Sequence, residues 1–131
     1  MDCCFVGDVH GMFDEFGKLI DGFPKDYFIF QLGDFGIGFD YRKDFERRDN
    51  VYFVRGNHDN PLYCKGRRDY LGDYGYLDSL DLFFVSGADS IDKDTRIQFK
   101  NWWPDENLNY EQFSKAIELY EEKRPKIVIA E

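Results

Sequence analysis

The sequence predicts an α/β fold in which a layered sheet is combined with helices. Four short apolar runs, each bounded by Gly, Asp, Asn or Lys, are typical of strands in a sheet that is covered on both faces, and a fifth run is expected to form a further strand. Between and after them lie segments whose apolar residues recur at helical spacing, and this alternation of strands and helices characterises the fold class. A length of 131 residues fits a single domain, which we place at residues 1–131.

The strands are predicted at residues 3–6, 27–32, 51–54, 82–85 and 127–130. Residues 12–21 form the first predicted helix. The second is indicated by an apolar stripe at positions 110, 113, 116, 117 and 120, with Asn109 as its N-cap and Pro125 as its stop. The acidic, tyrosine-containing stretch 69–81 is predicted to be an exposed loop or a short helix.

Charge and composition exclude several classes of partner. The formal net charge is −9, so the long-range field repels nucleic-acid backbones and anionic membranes, and we expect neither general nucleic-acid binding nor membrane association. No apolar run approaches the ~20 residues of a membrane span, and Asp2 puts an acid where a signal peptide is basic. The three cysteines form no CxxC pair, and reduced cysteines fit a cytoplasmic protein.

Three of the predicted strands end in a glycine followed by side chains that can bind a metal ion. These ends are Gly7-Asp8-Val9-His10-Gly11, Gly33-Asp34-Phe35-Gly36 and Arg55-Gly56-Asn57-His58-Asp59. Any one of them is typical of an ordinary turn, but three in chain order, holding both histidines of the sequence, favour a functional site. Chemistry in such sheets collects beyond the carboxyl ends of the strands, which would bring the three loops to one crevice.

These residue types indicate a centre of two divalent cations. Carboxylate and imidazole ligands suit Mn²⁺, our first expectation, and also Fe²⁺, Zn²⁺ and Ni²⁺. We predict as metal ligands Asp8, His10, Asp34 and Asn57. Two ions about 3.5–4 Å apart, bridged by Asp34, can clamp a phosphoryl group and hold a hydroxide between them. His58 is then expected to protonate the leaving oxygen, and Arg55 to steady the phosphate of the bound substrate.

With these motifs the sequence resembles the calcineurin-like metallophosphoesterases. GDVHG, GDFG and RGNHD are similar to that superfamily's GDxHG, GDxx and GNH[DE] motifs, in the same order. The segments 90–93 (SIDK) and 102–106 (WWPDE) resemble a pair found in a bacterial and phage subgroup of metallophosphatases. The resemblance implies Asp8 and His10 at the first metal, Asp34 as the bridge, Asn57 at the second metal, and His58 as the acid or phosphate-orienting group.

The sequence departs from the family pattern near its C-terminal end. Family members continue with a strand that ends in a histidine ligand and with a later Gly-His-x-His element, whereas here the strand 127–130 is followed by Glu131. We therefore expect a C-terminally incomplete version of the family fold, with Glu131 as a candidate substitute ligand. Because later strands of the family's two-sheet sandwich would be missing, an uncovered sheet is expected to support self-association.

Two functions follow as hypotheses. The first is a metal-dependent phosphoesterase that hydrolyses a phosphate ester of a phosphoprotein, a nucleotide or a small molecule, with metal-bound hydroxide as the nucleophile. The alternative is a shortened, catalytically weak or inactive relative that acts as a binding or regulatory module, or as one piece of a split enzyme. Bound metal and turnover, measured on the same sample, discriminate between them.

Overall fold

In the described residues the backbone forms two small sheets and three α-helices. The computed structural model describes residues 2–41 and 43–131. Its strands, in chain order, are β1 (Cys3–Val6), β2 (Phe28–Gln31), β3 (Val51–Phe53), β4 (Tyr74–Leu77), β5 (Leu82–Val85) and β6 (Ile127–Ala130). Its helices are α1 (Phe13–Asp21), α2 (Pro61–Lys65) and α3 (Tyr110–Lys123), and short 3₁₀ turns lie at Phe39–Tyr41, Asp78–Leu80 and Lys93–Thr95.

The first sheet is parallel, which confirms the α/β fold class. Within the described residues its order is β1-β2-β3, with Cys4 opposite Ile29 and Ile29 opposite Val51. The second sheet has the order β4-β5-β6, in which β5 is antiparallel to β4 and parallel to β6. Because all three strands of the first sheet run the same way, their carboxyl ends lie at one edge.

The layers are helix, sheet, sheet and helix. On one face of the first sheet, α1 buries Phe16 and Ile20 in an aromatic-rich core with residues of β2 and β3. The second sheet meets the carboxyl end of the first, where Val54, the residue after β3, packs with the buried side chains Leu82, Phe84 and Ile129. The outer face of the second sheet is covered by α3, whose Tyr120 ring contacts Phe83 at 5.6 Å. Burial of this apolar surface supplies most of the driving force for folding.

The ends of α3 are set by the residues that the sequence indicates. Asn109 accepts a hydrogen bond from the backbone N–H of Gln112, and the Gln112 side chain accepts one from the N–H of Asn109, which completes a capping box. At the other end Arg124 adopts a left-handed conformation, and Pro125 follows. The prediction of Asn109 as the N-cap is confirmed.

The prediction of a loop or short helix over residues 69–81 is wrong at residues 74–77, although a short 3₁₀ helix does follow at Asp78–Leu80. Tyr74–Leu77 forms β4, which pairs with β5 as an antiparallel hairpin, and Tyr76 donates a hydrogen bond to Asp81 at 2.7 Å. The surrounding acids lower the local hydropathy, so the strand depends on its pairing with β5 rather than on its own composition.

The edge strands leave apolar side chains exposed. Phe5 on β1 is 41% exposed, and Val128 on β6 is 49% exposed. In the described part of the chain, every helix is too short or too polar to cross a membrane.

Candidate metal centre

A buried glutamine ties the ends of β1 and β2 together. The Nε2 group of Gln31 donates hydrogen bonds to the carbonyl oxygens of Gly7 at 3.1 Å and Gly33 at 2.6 Å, and its Oε1 accepts one from the N–H of Gly33 at 3.0 Å. Gln31 is fully buried, so these bonds are made without competition from water. The loops that carry Asp8 and Asp34 therefore start from fixed positions.

The first two loops are also joined to each other through their backbones. The N–H groups of Val9 and His10 donate to the carbonyl oxygen of Asp34, at 3.1 and 2.8 Å. Gly36, at φ +100°, is required here because a β-carbon at this position would lie 2.5 Å from the backbone nitrogen of Gly11. His10 and Asp34 both have left-handed backbone conformations, at φ 49° and 50°. Strain of this kind is common where a loop must aim a functional side chain.

Asp59 joins the second loop to the third. Its buried carboxylate accepts hydrogen bonds from four backbone N–H groups, at 2.7 to 3.2 Å, which belong to Phe35, Gly36, Ile37 and Gly56. Burial raises the pKa of Asp59 to about 6, and the four hydrogen bonds oppose that rise. No role was predicted for Asp59 from the sequence, although it is the acid that ends the RGNHD motif.

Asp34 lies at the middle of the site. Its Oδ2 is 3.8 Å from His10 Nε2 and 3.3 Å from His58 Nδ1, and its Oδ1 accepts a hydrogen bond from the N–H of His58 at 2.9 Å. The two imidazole rings are edge to face, with centroids 4.8 Å apart. Burial alone would raise the pKa of Asp34, but the side chain and backbone N–H of His58 outweigh it and lower that pKa below its ordinary value.

Glu131 reaches the same place from the end of β6. Its carboxyl group sits over Gly33 and Gly56, where a β-carbon at position 56 would lie 2.7 Å from Glu131 Cδ. Burial, followed by the negative charge of Asp34, raises the pKa of Glu131 to about 8. The position after the last strand, which the sequence singled out as a candidate substitute ligand, is therefore adjacent to Asp34.

Two groups of metal-binding side chains share Asp34. His10, Asp34 and His58 form one group, and Asp8, Asp34 and Glu131 form the other. In each group one potential ligand atom per residue lies within 4.8 Å of those of the other two. Asp8 also contacts His10 directly, with Oδ2 3.3 Å from Nε2.

Asn57 lies in the third loop, between two residues that contact Asp34. A β-carbon at Gly56 would lie 2.7 Å from the backbone nitrogen of Asp34, and His58 contacts the Asp34 carboxylate. The Nδ2 group of Asn57 donates a hydrogen bond to Ser90 Oγ at 3.1 Å. The amide oxygen of Asn57 is therefore not used in that bond.

The expected role of Arg55 as a phosphate contact requires correction. Arg55 is 1% exposed, and its guanidinium group donates to the hydroxyl of Tyr70 at 3.0 Å and to the carbonyl oxygen of Glu106 at 2.5 Å. Asp73 Oδ1 lies 3.4 Å from Arg55 Nε. The side chain thus points into the protein interior, where it lies beside the partly buried carboxylate of Asp73 instead of facing the crevice.

A different arginine, Arg96, borders the site and was missed by the sequence analysis. Its Nη2 lies 3.2 Å from His58 Nε2 and 2.8 Å from Asp92 Oδ1, and its guanidinium carbon is 5.8 Å from the centre of the Phe39 ring. Because a guanidinium group has no acceptor, Nε2 of His58 accepts this bond, and the imidazole proton lies on Nδ1. Arg96 belongs to an irregular segment with no strand-end motif, so the sequence pattern held no signal for it.

Comparison with known families identifies the family of the chain. The family model for calcineurin-like phosphoesterases matches residues 1–130. The chain belongs to this family. Searches of curated proteins and of solved structures gave no match to it.

The calcineurin-like phosphoesterase family implies divalent metal ions, and the side chains present fit them. Three carboxylates and two imidazoles converge, a mixed oxygen and nitrogen donor set that suits first-row divalent ions. In addition, Nδ1 of His58 is buried and has no hydrogen-bond partner with acceptable geometry among the described residues. Because Nδ1 carries the imidazole proton when Nε2 accepts from Arg96, it offers a donor and no lone pair for a cation in this tautomer.

Proposed function

We propose that this calcineurin-like phosphoesterase hydrolyses a phosphate ester with two divalent cations, Mn²⁺ first among them. The single observation that supports this most is that Asp34 is common to both groups of metal-binding side chains. A carboxylate with two oxygens can contribute one to each of two neighbouring ions, which is the arrangement that a two-metal phosphoesterase needs.

The proposed ligands are assigned by position. Asp8 and His10, which belong to different groups but contact each other at 3.3 Å (Oδ2 to Nε2), would hold the first ion, Asp34 both ions, and Asn57 the second. Glu131 would act as a substitute oxygen ligand, because its carboxyl group lies against Asp34. When bound, the cations would neutralise phosphate charge and lower the pKa of a water molecule that attacks phosphorus.

His58 and Arg96 would act on the substrate side of Asp34. We assign to Arg96 the phosphate-orienting role that the sequence analysis gave to Arg55, because its guanidinium group borders His58. A phosphate that draws the Arg96 guanidinium away would free His58 Nε2 to take up a proton from solvent and then to pass it to the leaving oxygen. The ring is kept in place meanwhile by contacts with His10, at 4.8 Å, and Phe39, at 4.9 Å.

One experiment tests the proposal on the whole chain. The protein is loaded with Mn²⁺, its bound metal is measured by elemental analysis, and hydrolysis of p-nitrophenyl phosphate is followed beside Asp34→Asn. We expect about two ions per chain and turnover in the wild type, and loss of both in Asp34→Asn. Asp49→Asn is the matched control, because the side chain of Asp49 is 98% exposed.

The result also separates the alternative function. A wild-type chain that binds no metal and shows no more turnover than Asp34→Asn would refute the proposal. Metal binding without turnover of aryl phosphate, a nucleotide or a phosphopeptide would favour the binding or regulatory module instead.

A further inference from the structure

A chain of hydrogen bonds runs from the protein interior to Asn57. The backbone N–H of Ser90 donates to Glu106 Oε1 at 2.6 Å, and the Ser90 hydroxyl donates to Glu106 Oε2 at 2.7 Å. Ser90 Oγ in turn lies 3.1 Å from Asn57 Nδ2. Ser90 is 6% exposed and Glu106 is 3% exposed, so water does not compete for these bonds.

The chemistry of these groups determines which one donates and which one accepts in each hydrogen bond. A carboxylate can only accept hydrogen bonds, so both the N–H and the hydroxyl hydrogen of Ser90 are directed at Glu106. The Ser90 oxygen can then only accept from Asn57, which places the NH₂ end of the Asn57 amide toward Ser90. The oxygen end is left for the crevice, where only an oxygen, and not an NH₂ group, can bind a cation.

We propose that Glu106, acting through Ser90, sets the orientation of the Asn57 amide and so presents Asn57 Oδ1 to the second cation. This inference depends on the proposed role of Asn57 as a metal ligand. Glu106 and Ser90 are positioning residues, since neither contacts the substrate or the cations in this scheme. Outer groups of this kind orient metal ligands in many sites.

Glu106 is itself held in place by the buried Arg55. The guanidinium group of Arg55 donates to the backbone carbonyl oxygen of Glu106 at 2.5 Å, and the N–H of Ala88 donates to the same oxygen at 3.3 Å. Arg55 therefore contributes to the site from the interior, by fixing the backbone from which the Glu106 carboxylate extends. This explains why an arginine at a strand end is buried.

The test reverses the direction of the hydrogen bonds from Ser90 to Glu106 and from Asn57 to Ser90, with little change in the shape of any side chain. In Glu106→Gln, the amide oxygen accepts from the Ser90 N–H, and the amide NH₂ donates to Ser90 Oγ. The Ser90 hydroxyl must then donate to Asn57, which turns the NH₂ group of Asn57 toward the crevice. We expect the affinity for the second Mn²⁺ ion to fall about 10- to 100-fold. The measurement is calorimetric titration of the metal-free full chain with Mn²⁺.

A second substitution should restore the binding. An Asp at position 57 presents oxygen at both ends, and in the Asn57→Asp/Glu106→Gln double variant the Ser90 hydroxyl can donate to it. We expect the double variant to bind the second ion more tightly than Glu106→Gln alone. Glu118→Gln, on the exposed face of α3, is the matched control and should titrate like the wild type.

The outcomes separate this inference from the proposed function. A wild-type chain with two ions, together with a folded Glu106→Gln variant of unchanged affinity or no rescue by Asn57→Asp, would overturn the inference alone. A wild-type chain without bound Mn²⁺ would overturn the proposed function and the inference with it. Should Glu106→Gln not fold, the Ser90 variants provide the test. We expect Ser90→Ala to lower the affinity for the second Mn²⁺ ion and Ser90→Thr to preserve it. Equal affinities in these two variants would count against the inference.

Discussion

The carboxyl groups of Asp34 and Glu131 lie against each other, although one follows β2 and the other follows β6. Burial, followed by the negative charge of Asp34, raises the pKa of Glu131 from 4.5 to about 8, whereas the pKa of Asp34 is lowered. In the metal-free folded chain the pair therefore retains a proton at Glu131 under conditions in which the unfolded chain has lost it.

This proton makes the stability of the metal-free protein depend on pH. The folded state binds more protons than the unfolded state between about pH 4.5 and pH 8, so the free energy of unfolding should fall as pH rises through that window. Urea denaturation in the presence of a chelator, repeated at several pH values, measures the slope. Between pH 6 and pH 8, above the pKa of about 6 of the buried Asp59, Glu131→Gln should flatten the slope and Glu118→Gln should not, so equal slopes in all three proteins would contradict the pKa assignment.

The glycines of the motifs differ in the space available for a side chain, so alanine substitution should affect metal binding at some of them and not at others. A β-carbon at Gly56 would lie 2.7 Å from both the Asp34 backbone nitrogen and Glu131 Cδ, whereas one at Gly7 meets nothing within 4 Å. Gly56→Ala should therefore displace Asp34 and weaken Mn²⁺ binding at least about tenfold, while Gly7→Ala keeps it. The measurement is calorimetric titration, and similar affinities for the two variants would count against the placement of Asp34.

Removal of the Asp59 carboxylate should destabilise the whole chain. Asp59→Ala leaves four buried N–H groups without their acceptor, at a cost of about 1–3 kcal/mol for each that finds no new partner. Asp59→Asn should cost less, because its oxygen can still accept from Gly36 and Ile37 and it buries no charge. Denaturant unfolding at pH 7 checks this order, and a wild-type midpoint for Asp59→Ala would disprove it. Asp49→Asn serves as the exposed control.

His58 can be distinguished from a metal ligand by comparing turnover with metal content. Because His58 is the proposed proton donor, the His58→Ala variant should have a kcat lower by roughly 10²- to 10⁴-fold and the same amount of bound Mn²⁺. His10→Ala, by contrast, should lose metal and turnover together. If His58→Ala lost metal to the same extent, its Nδ1, which lies 3.3 Å from Asp34 Oδ2, would have to be counted among the ligands.

The exposed edge strands lead us to expect self-association. Phe5 and Val128 are large apolar side chains on β1 and β6, the outer strands of their sheets among the described residues. Light scattering after gel filtration should show a mass that rises with protein concentration. The Phe5→Lys/Val128→Lys variant should reduce that mass to one chain, about 15.6 kDa, and a wild type that stays monomeric at high concentration would refute the expectation.

The sequence predicted those parts of the fold that depend on local pattern. The strands at Cys3–Val6, Leu82–Val85 and Ile127–Ala130 have their predicted bounds, and α1 begins one residue later than predicted. The predicted strands 27–32 and 51–54 end early, because the chain turns into the glycine loops that carry the site. β4 was missed because its stability comes from β5, a contact that local composition does not report.

The candidate site was predictable where residues directly follow strands. Asp8, His10, Asp34 and His58 follow from one rule about parallel sheets, and they lie together. The same rule misled for Arg55, because it predicts where a residue starts but not whether its long side chain turns inward. Arg96 and Glu106 depend on how the irregular segment 86–109 folds back, and no periodicity in the sequence encodes that path.

The four donors that converge on Asp59 have a consequence for how quickly the centre can be filled and emptied. Since that acid already fixes the second and third loops, cations are not needed to order them, and little configurational freedom is lost on loading. One metal ion can then be exchanged for another while the two loops keep their conformation. The rate of exchange would be set by the release of the ligands and not by refolding of the loops.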